Sequence, residues 1–138
     1  MASVSLTKIF EFSSSHRYHR PEWSEEENQR AFGKCASANG HGHNYLLEVT
    51  IDGRVDPVTG MVINLVDIKA CVERVLAEFD HKHLNLDVDY FLGSLPTPEN
   101  LAATLWSLID ARLAEGVRLR RVRLHEDEDL YVEYYGGR

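Results

Sequence analysis

Two short stretches concentrate imidazoles: His41-Gly42-His43 and His81-Lys82-His83, which hold four of the seven histidines in the chain. In an extended strand, residues i and i+2 point the same way. His41 and His43 can therefore reach one metal ion if they open a strand, and His16 can join them if its own strand pairs with theirs. Three neutral imidazoles with an open fourth position form a catalytic zinc arrangement, because the metal can then bind a substrate oxygen and stabilise negative charge on it. Two other readings fit the same residues. His-Gly-His can be a polar loop with two surface imidazoles, or Cys35, His16, His41 and His43 can close a structural Cys-His₃ zinc shell. The open site needs another role for Cys35. Lys34 precedes it and can lower its pKa, and a thiolate is a usable base or nucleophile; a buried, inert thiol is the alternative.

Other residues carry a weaker signal. In Asp80-His81-Lys82-His83 a carboxylate beside an imidazole can orient and polarise it, although a basic helix C-terminus explains the same charges. Glu126 stands in an acidic run at a strand end. Buried, it can grip an amidine-like edge through two parallel hydrogen bonds; exposed, it is one residue of a solvated turn. Arg118, Arg120, Arg121 and Arg123 can serve a polyanion or form a solvated face. Cys71, on the apolar side of a helix, reads as packing.

These groups need elements to hold them. Val4, Leu6, Phe10 and Phe12 share one parity and predict a strand, and Tyr45 to Asp52 alternates as a second. Between them, residues 20 to 40 are polar and predict a long loop with a helical turn around Glu25 to Phe32. Asp56 to Gly60 is a turn signal. Asn64 caps an amphipathic helix over Leu65 to Phe79. Thr97-Pro98-Glu99 opens a second helix, with Pro98 at its first position and Gly116 as its stop. Val117 to His125 and Leu130 to Tyr135 predict two closing strands around an acidic turn, Glu126 to Asp129. In the first of these the apolar parity switches between Leu119 and Val122, as a bulge would produce or as a strand covered on both faces would show. The order β-β-α-α-β-β predicts an α+β domain with an antiparallel sheet. Helices on one side leave the other sheet face open, and association is one way to cover it.

The chain has 138 residues, one domain's worth, and we expect residues 1–138 to form a single domain. Lys and Arg number 15 against 22 Asp and Glu, a net charge of −7, which disfavours a general nucleic-acid binder. No apolar run is long enough to span a membrane, and the N-terminal residues lack a signal-peptide core. Two cysteines cannot build a disulfide framework, so a cytoplasmic location is expected.

The chain resembles the 6-pyruvoyl-tetrahydropterin synthases, a family that includes the related 6-carboxy-tetrahydropterin synthases of queuosine biosynthesis. The likeness rests on Phe12 to Arg17, Phe32-Gly33-Lys34-Cys35, Asn39 to Tyr45, Asp56 to Met61, Asp80-His81-Lys82 and Thr97 to Asn100, which occur in the family's order. The resemblance implies the tunnel fold: a four-stranded antiparallel sheet with two helices on one face, three subunits closing a barrel, and two trimers stacked as a homo-hexamer. Active sites then lie between subunits. It assigns one zinc per subunit to His16, His41 and His43. Cys35 matches the catalytic base, and Asp80 and His81 match its proton-handling partners. Glu126 matches the pterin anchor, and Thr97 and Glu99 match substrate contacts. The implied activity is conversion of 7,8-dihydroneopterin triphosphate to 6-pyruvoyl-tetrahydropterin with loss of triphosphate. Five residues, Ala36 to Gly40, separate Cys35 from His41. The carboxy enzymes, which release acetaldehyde as well, typically have three. A non-catalytic pterin- or zinc-binding module of the same fold is a further alternative. Pro98 and Asp127 stand where other members commonly carry a polar or small residue and a Thr.

Overall fold

The computed structural model describes residues 3–137; residues 1, 2 and 138, the ends of the expected domain, lie outside the described residues. Five strands and three α-helices follow in the order β1 (Ser3–His16), α1 (Glu25–Phe32), β2 (His41–Arg54), α2 (Leu65–Leu76), β3 (Lys82–His83), α3 (Pro98–Asp110), β4 (Arg118–Asp127) and β5 (Leu130–Tyr134). A single 3-10 turn, Gly33–Ala36, follows α1. The sheet order is β3-β1-β2-β4-β5. Pairing is antiparallel throughout except for the two-residue β3, which runs parallel to β1 at Ser14 and Ser15.

The α+β reading and its four antiparallel strands are therefore present, with two additions. A strand as short as β3 has no periodicity for a sequence to display. The third helix, α1, occupies the predicted helical turn. Ser24 caps it by accepting from the Glu27 amide at 3.1 Å, and three glutamates in its first turn suit the dipole. Asn64 and Thr97 cap α2 and α3 as expected, accepting from the Val66 and Asn100 amides at 2.9 and 3.2 Å. Both helices stop sooner than their apolar patterns suggest, at Leu76 and Asp110.

Alternation decides which side chains face the helices. Phe10 and Phe12 of β1, Tyr45, Leu47, Val49 and Ile51 of β2, and Leu119, Val122 and Leu124 of β4 are buried together. They pack against Ile68, Val72 and Val75 of α2 and Leu101, Leu105 and Ile109 of α3. Of the two readings of β4, the bulge is the one present. Thr50 pairs with Arg121 and Ile51 with Leu119, which leaves Arg120 as the extra residue. Near the other end of β4, His125 pairs with Tyr131 and Asp127 with Leu130, leaving Glu126 unpaired. Glu126 and Asp127 thus belong to the strand, and the predicted four-residue acidic turn shrinks to Glu128-Asp129.

The opposite sheet face is charged. Glu48 meets Arg121, Arg123 and His125 at 3.7, 3.6 and 2.6 Å, and Glu133 meets both arginines at 3.0 Å. Those two arginines are matched by acids on neighbouring strands, as on a salt-bridged surface rather than a polyanion site.

Candidate functional site

The register of β1 and β2 builds the centre of the site. His16 lies directly opposite His41, and Ser14 opposite His43. All three histidines have the parity of the core residues beside them, so their rings gather at the end of the sheet. Ring centroids are 4.8 Å apart for His16–His41 and His41–His43, and 5.1 Å for His16–His43. One nitrogen from each lies within 4.8 Å of the others.

Protonation and tautomer suit a metal. The Nδ1 of His16 is 2.8 Å from the Pro96 carbonyl. As a donor to that carbonyl, Nδ1 carries the proton and leaves the Nε2 lone pair free. The Nε2 atoms of His16 and His43 are both buried with no hydrogen-bond partner. Burial pushes the His16 imidazole down to about 4 and lowers His41 as well, so both rings stay neutral at physiological pH. Uncharged, orphaned nitrogens converging on one point fit a divalent cation of the zinc class. Cys35 is not part of this cluster, which disfavours the closed Cys-His₃ shell.

Glu126 forms the opposite wall. Its Oε2 is 3.9 Å from Nε2 of His16, and its Oε1 is 3.7 Å from Nε2 of His43. Burial raises the Glu126 carboxyl above its usual range, while the His43 imidazole works against that rise. The carboxylate also bears on Cys35. Burial lifts that thiol, and the Glu126 charge lifts it further. The reading in which Lys34 lowers the thiol is therefore corrected: desolvation and a nearby carboxylate outweigh a solvent-exposed lysine.

Thr97 and Glu99 stand at the start of α3, directly after the carbonyl that orients His16. The Thr97 oxygen accepts from the Asn100 amide, which leaves its hydroxyl proton available to a ligand. The charge of Glu99 reaches Glu126 and Tyr18, raising both.

Asp80 and His81 form a second cluster. The Ser13 amide donates to Asp80 at 2.8 Å, and His81 Nδ1 lies 3.0 Å from the same carboxylate oxygen. His81 adopts φ = 61°, an unusual conformation for a residue with a side chain, while its amide donates to the Ser13 carbonyl at 2.6 Å. Its side chain is 82% exposed. The pair's polar contacts run to Ser13 rather than to Cys35 or Glu126. His81 and His43 nonetheless line one groove of about 490 Å³ with Ser13, Ser15, Asn44 and Lys82.

Several positioning residues carry no motif. Asn28, buried in α1, accepts from the Arg20 amide at 2.8 Å and donates to the Arg20 and Ser24 carbonyls. Asn85 clasps the Arg17 backbone in the same two-way fashion, at 2.9 and 3.0 Å. Tyr18 packs edge-on to His16 with centroids 5.0 Å apart, and its amide donates to the Cys35 carbonyl at 2.7 Å. An isolated Asn or Tyr in a polar segment has no periodicity. Only the proximity of Tyr18 to His16 in sequence could have drawn notice.

Fold and site together define an α+β protein with a three-imidazole cluster, His16 buried and His41 and His43 partly so, beside a carboxylate whose charge reaches a thiol. The sequence model of the 6-pyruvoyl tetrahydropterin synthase family matches residues 5–137. The chain is 44% identical to a 6-pyruvoyl tetrahydrobiopterin synthase from Poecilia reticulata, an alignment covering 95% of this chain and 89% of that protein. The solved structure of the Caenorhabditis elegans 6-pyruvoyl tetrahydropterin synthase superposes with a TM-score of 0.94 at 35% identity, covering 99% and 98% of the two chains. An Archaeoglobus fulgidus protein provisionally named a 6-carboxy-5,6,7,8-tetrahydropterin synthase is 41% identical over 72% of this chain and 77% of its own. This chain belongs to the 6-pyruvoyl tetrahydropterin synthase family.

Proposed function

We propose that the chain is a zinc-dependent lyase that converts 7,8-dihydroneopterin triphosphate to 6-pyruvoyl-tetrahydropterin and triphosphate. One observation carries the reading: the orphaned Nε2 atoms of His16 and His43 face the Glu126 carboxylate across the same small space. A cation and a ligand together would satisfy all three groups.

His16, His41 and His43 would hold the zinc, which when bound supplies Lewis acidity toward the substrate's side-chain hydroxyls. The remaining work falls to the chain's own groups. Glu126 accepts two parallel hydrogen bonds from the amino-pyrimidine edge of the pterin. Thr97 and Glu99 flank that edge from the start of α3. Cys35 would take a side-chain proton at Sγ as the thiolate, a form that a cation on the histidines would favour against the burial and the Glu126 charge that lift the thiol. Asp80 holds His81 by Nδ1, so that Nε2 can move a proton. Triphosphate departs by elimination, and the hydrogens lost from the side chain are gained by the ring, so no external redox partner is consumed.

Asp80 and His81 turn outward to solvent, and we assign them to a site completed by a neighbouring subunit. β1 has one side unpaired from Ser3 to Phe12, and β5 is the opposite edge of the sheet. Joining these edges among three copies would close a barrel, and two such trimers would form the hexamer. Sedimentation analysis tests that assembly. No helix of the described residues is long and apolar enough to cross a membrane. Both cysteines are free, which suits the cytoplasm.

The test of function is to incubate the zinc-loaded protein with dihydroneopterin triphosphate and identify the products. 6-Pyruvoyl-tetrahydropterin without acetaldehyde supports the proposal. 6-Carboxy-tetrahydropterin with acetaldehyde would instead support the second reading, which the archaeal relative favours. No turnover would leave a binding module.

A further inference from the structure

Asp127 has a position that no role above uses. Consecutive residues of a regular strand point to opposite faces, yet Glu126 and Asp127 both reach His43. The irregularity at the end of β4 allows it. His125 pairs with Tyr131 and Asp127 with Leu130, and Glu126 is the extra residue between them. Oε1 of Glu126 lies 3.7 Å from Nε2 of His43, and Oδ1 of Asp127 lies 3.5 Å from Nδ1 of the same ring. The two carboxylates thus address different nitrogens of one imidazole. Nε2 is the buried, orphaned one, on the side of Glu126 and His16.

A neutral imidazole carries one proton, and the acceptor at one nitrogen decides which nitrogen is left for a metal. His16 is oriented in this way by the Pro96 carbonyl, 2.8 Å from its Nδ1. For His43 the oxygen behind Nδ1 belongs to a carboxylate, which differs from a carbonyl in carrying charge. A cation on Nε2 makes the N–H at Nδ1 a stronger donor, and the carboxylate offsets part of the charge that the ring receives. At 3.5 Å the contact stands at the long end of hydrogen-bond reach. The Asp127 side chain is 58% exposed, with solvent rather than packing around it, so a small rotation closes the contact.

We infer that Asp127 is a positioning residue for His43: its carboxylate accepts from Nδ1, holds the imidazole in the tautomer that presents Nε2 to a divalent cation, and tightens metal binding without being a ligand itself. This rests on the proposed function, since it names what orients a ligand of that same metal site. Thr, common at this position in the family, offers a hydroxyl but no charge.

The test is the zinc affinity of the purified protein, read by competition with a chromophoric chelator. Asp127→Ala should weaken zinc binding by about ten- to a hundredfold, the usual cost of removing a carboxylate behind a metal-bound imidazole. Asp127→Glu restores the carboxylate at an exposed position and should recover most of the loss. Glu128→Ala removes the same charge from the exposed turn one residue further on, and solvent screening should keep its effect below about threefold. The urea midpoint of the zinc-free protein should be the same in all three variants, because the Asp127 side chain supports no packing. Equal zinc affinity in Asp127→Ala and the wild type would overturn the inference. So would equal weakening by Glu128→Ala, which would make the effect one of net charge, and so would a loss that Asp127→Glu fails to reverse. If the wild-type protein binds no zinc, the proposed metal site falls and takes this inference with it. If the wild type binds zinc and Asp127→Ala matches it, only the inference falls.

Discussion

Nε2 of His16 and Oε2 of Glu126 lie 3.9 Å apart, both buried, and neither has a hydrogen-bond partner. Two orphaned acceptors facing each other repel. On the proposed function the nitrogen would hold a cation and the oxygen would accept from a ligand's N–H groups. The two roles should separate on mutation. His41→Ala should abolish stoichiometric zinc, read by metal analysis after dialysis. Glu126→Gln should retain zinc yet lose about tenfold or more in pterin affinity, because an amide cannot accept two parallel N–H bonds. Full zinc occupancy in His41→Ala would remove that residue from the ligand set.

Replacing the thiol should affect chemistry alone. Cys35→Ala should lower kcat by about a hundred- to ten-thousand-fold, with zinc content and neopterin binding kept. Rapid-quench measurement of product formation checks this. Wild-type turnover by the zinc-loaded variant would disprove the base assignment.

The buried imidazole of His16 makes the metal-free protein sensitive to acid. Its folded value of about 4 lies below the ordinary 6.5, chiefly because of burial. Between these values the unfolded chain binds the proton and the folded chain does not, so stability falls as pH drops from 6.5 toward 4. Above 6.5 this group contributes no slope. Urea melts of chelator-treated protein between pH 4.5 and 7.5 should show the decline. His16→Gln should flatten it whatever its effect on absolute stability.

Asn28 is a clasp with nothing to replace it. Asn28→Ala strips partners from the Arg20 amide and from two carbonyls. The expected loss is about 2–3 kcal/mol, seen as a lower urea midpoint at unchanged slope. An equal loss in a surface control such as Gln29→Ala, exposed on the same helix, would show that no clasp is involved.

Gly40 holds the turn into the histidine pair. It sits at φ = 73°, and a Cβ there would lie 2.7 Å from the His16 carbonyl and 3.1 Å from His83 Nε2. Gly40→Ala should cost about 2 kcal/mol or more and weaken zinc binding by displacing His16. Calorimetric zinc titration should register both the loss of affinity and, on heating, the lower Tm.

What could be read in advance followed periodicity and motif. The alternation in β1 and β2 was visible, and with it the shared face of His41 and His43. The parity switch between Leu119 and Val122 announced the bulge at Arg120. The capping residues Asn64 and Thr97 marked both long helices. Single contacts between distant segments were invisible, because they depend on tertiary placement: the Pro96 carbonyl on His16, Asn85 on Arg17, Glu126 beside His16. The environment of Cys35 was also hidden. An adjacent lysine in sequence suggested a lowered thiol, whereas burial and a carboxylate from β4 set its direction. The two-residue β3 gave no pattern, yet it closes the edge beside Ser14 and Ser15.

The bulge at Arg120 has a consequence far from where it occurs. Leu119 and Glu126 stand an odd number of positions apart, and a regular strand would send them to opposite sides. One surplus residue lets the strand bury Leu119 at one end and present Glu126 to the histidines at the other. Between those two points the strand tolerates changes of side chain far better than changes of count. Deleting a single residue would leave every motif intact and still force a choice between an exposed leucine and a Glu126 turned away from the histidines. In this strand the number of residues matters as much as their chemistry.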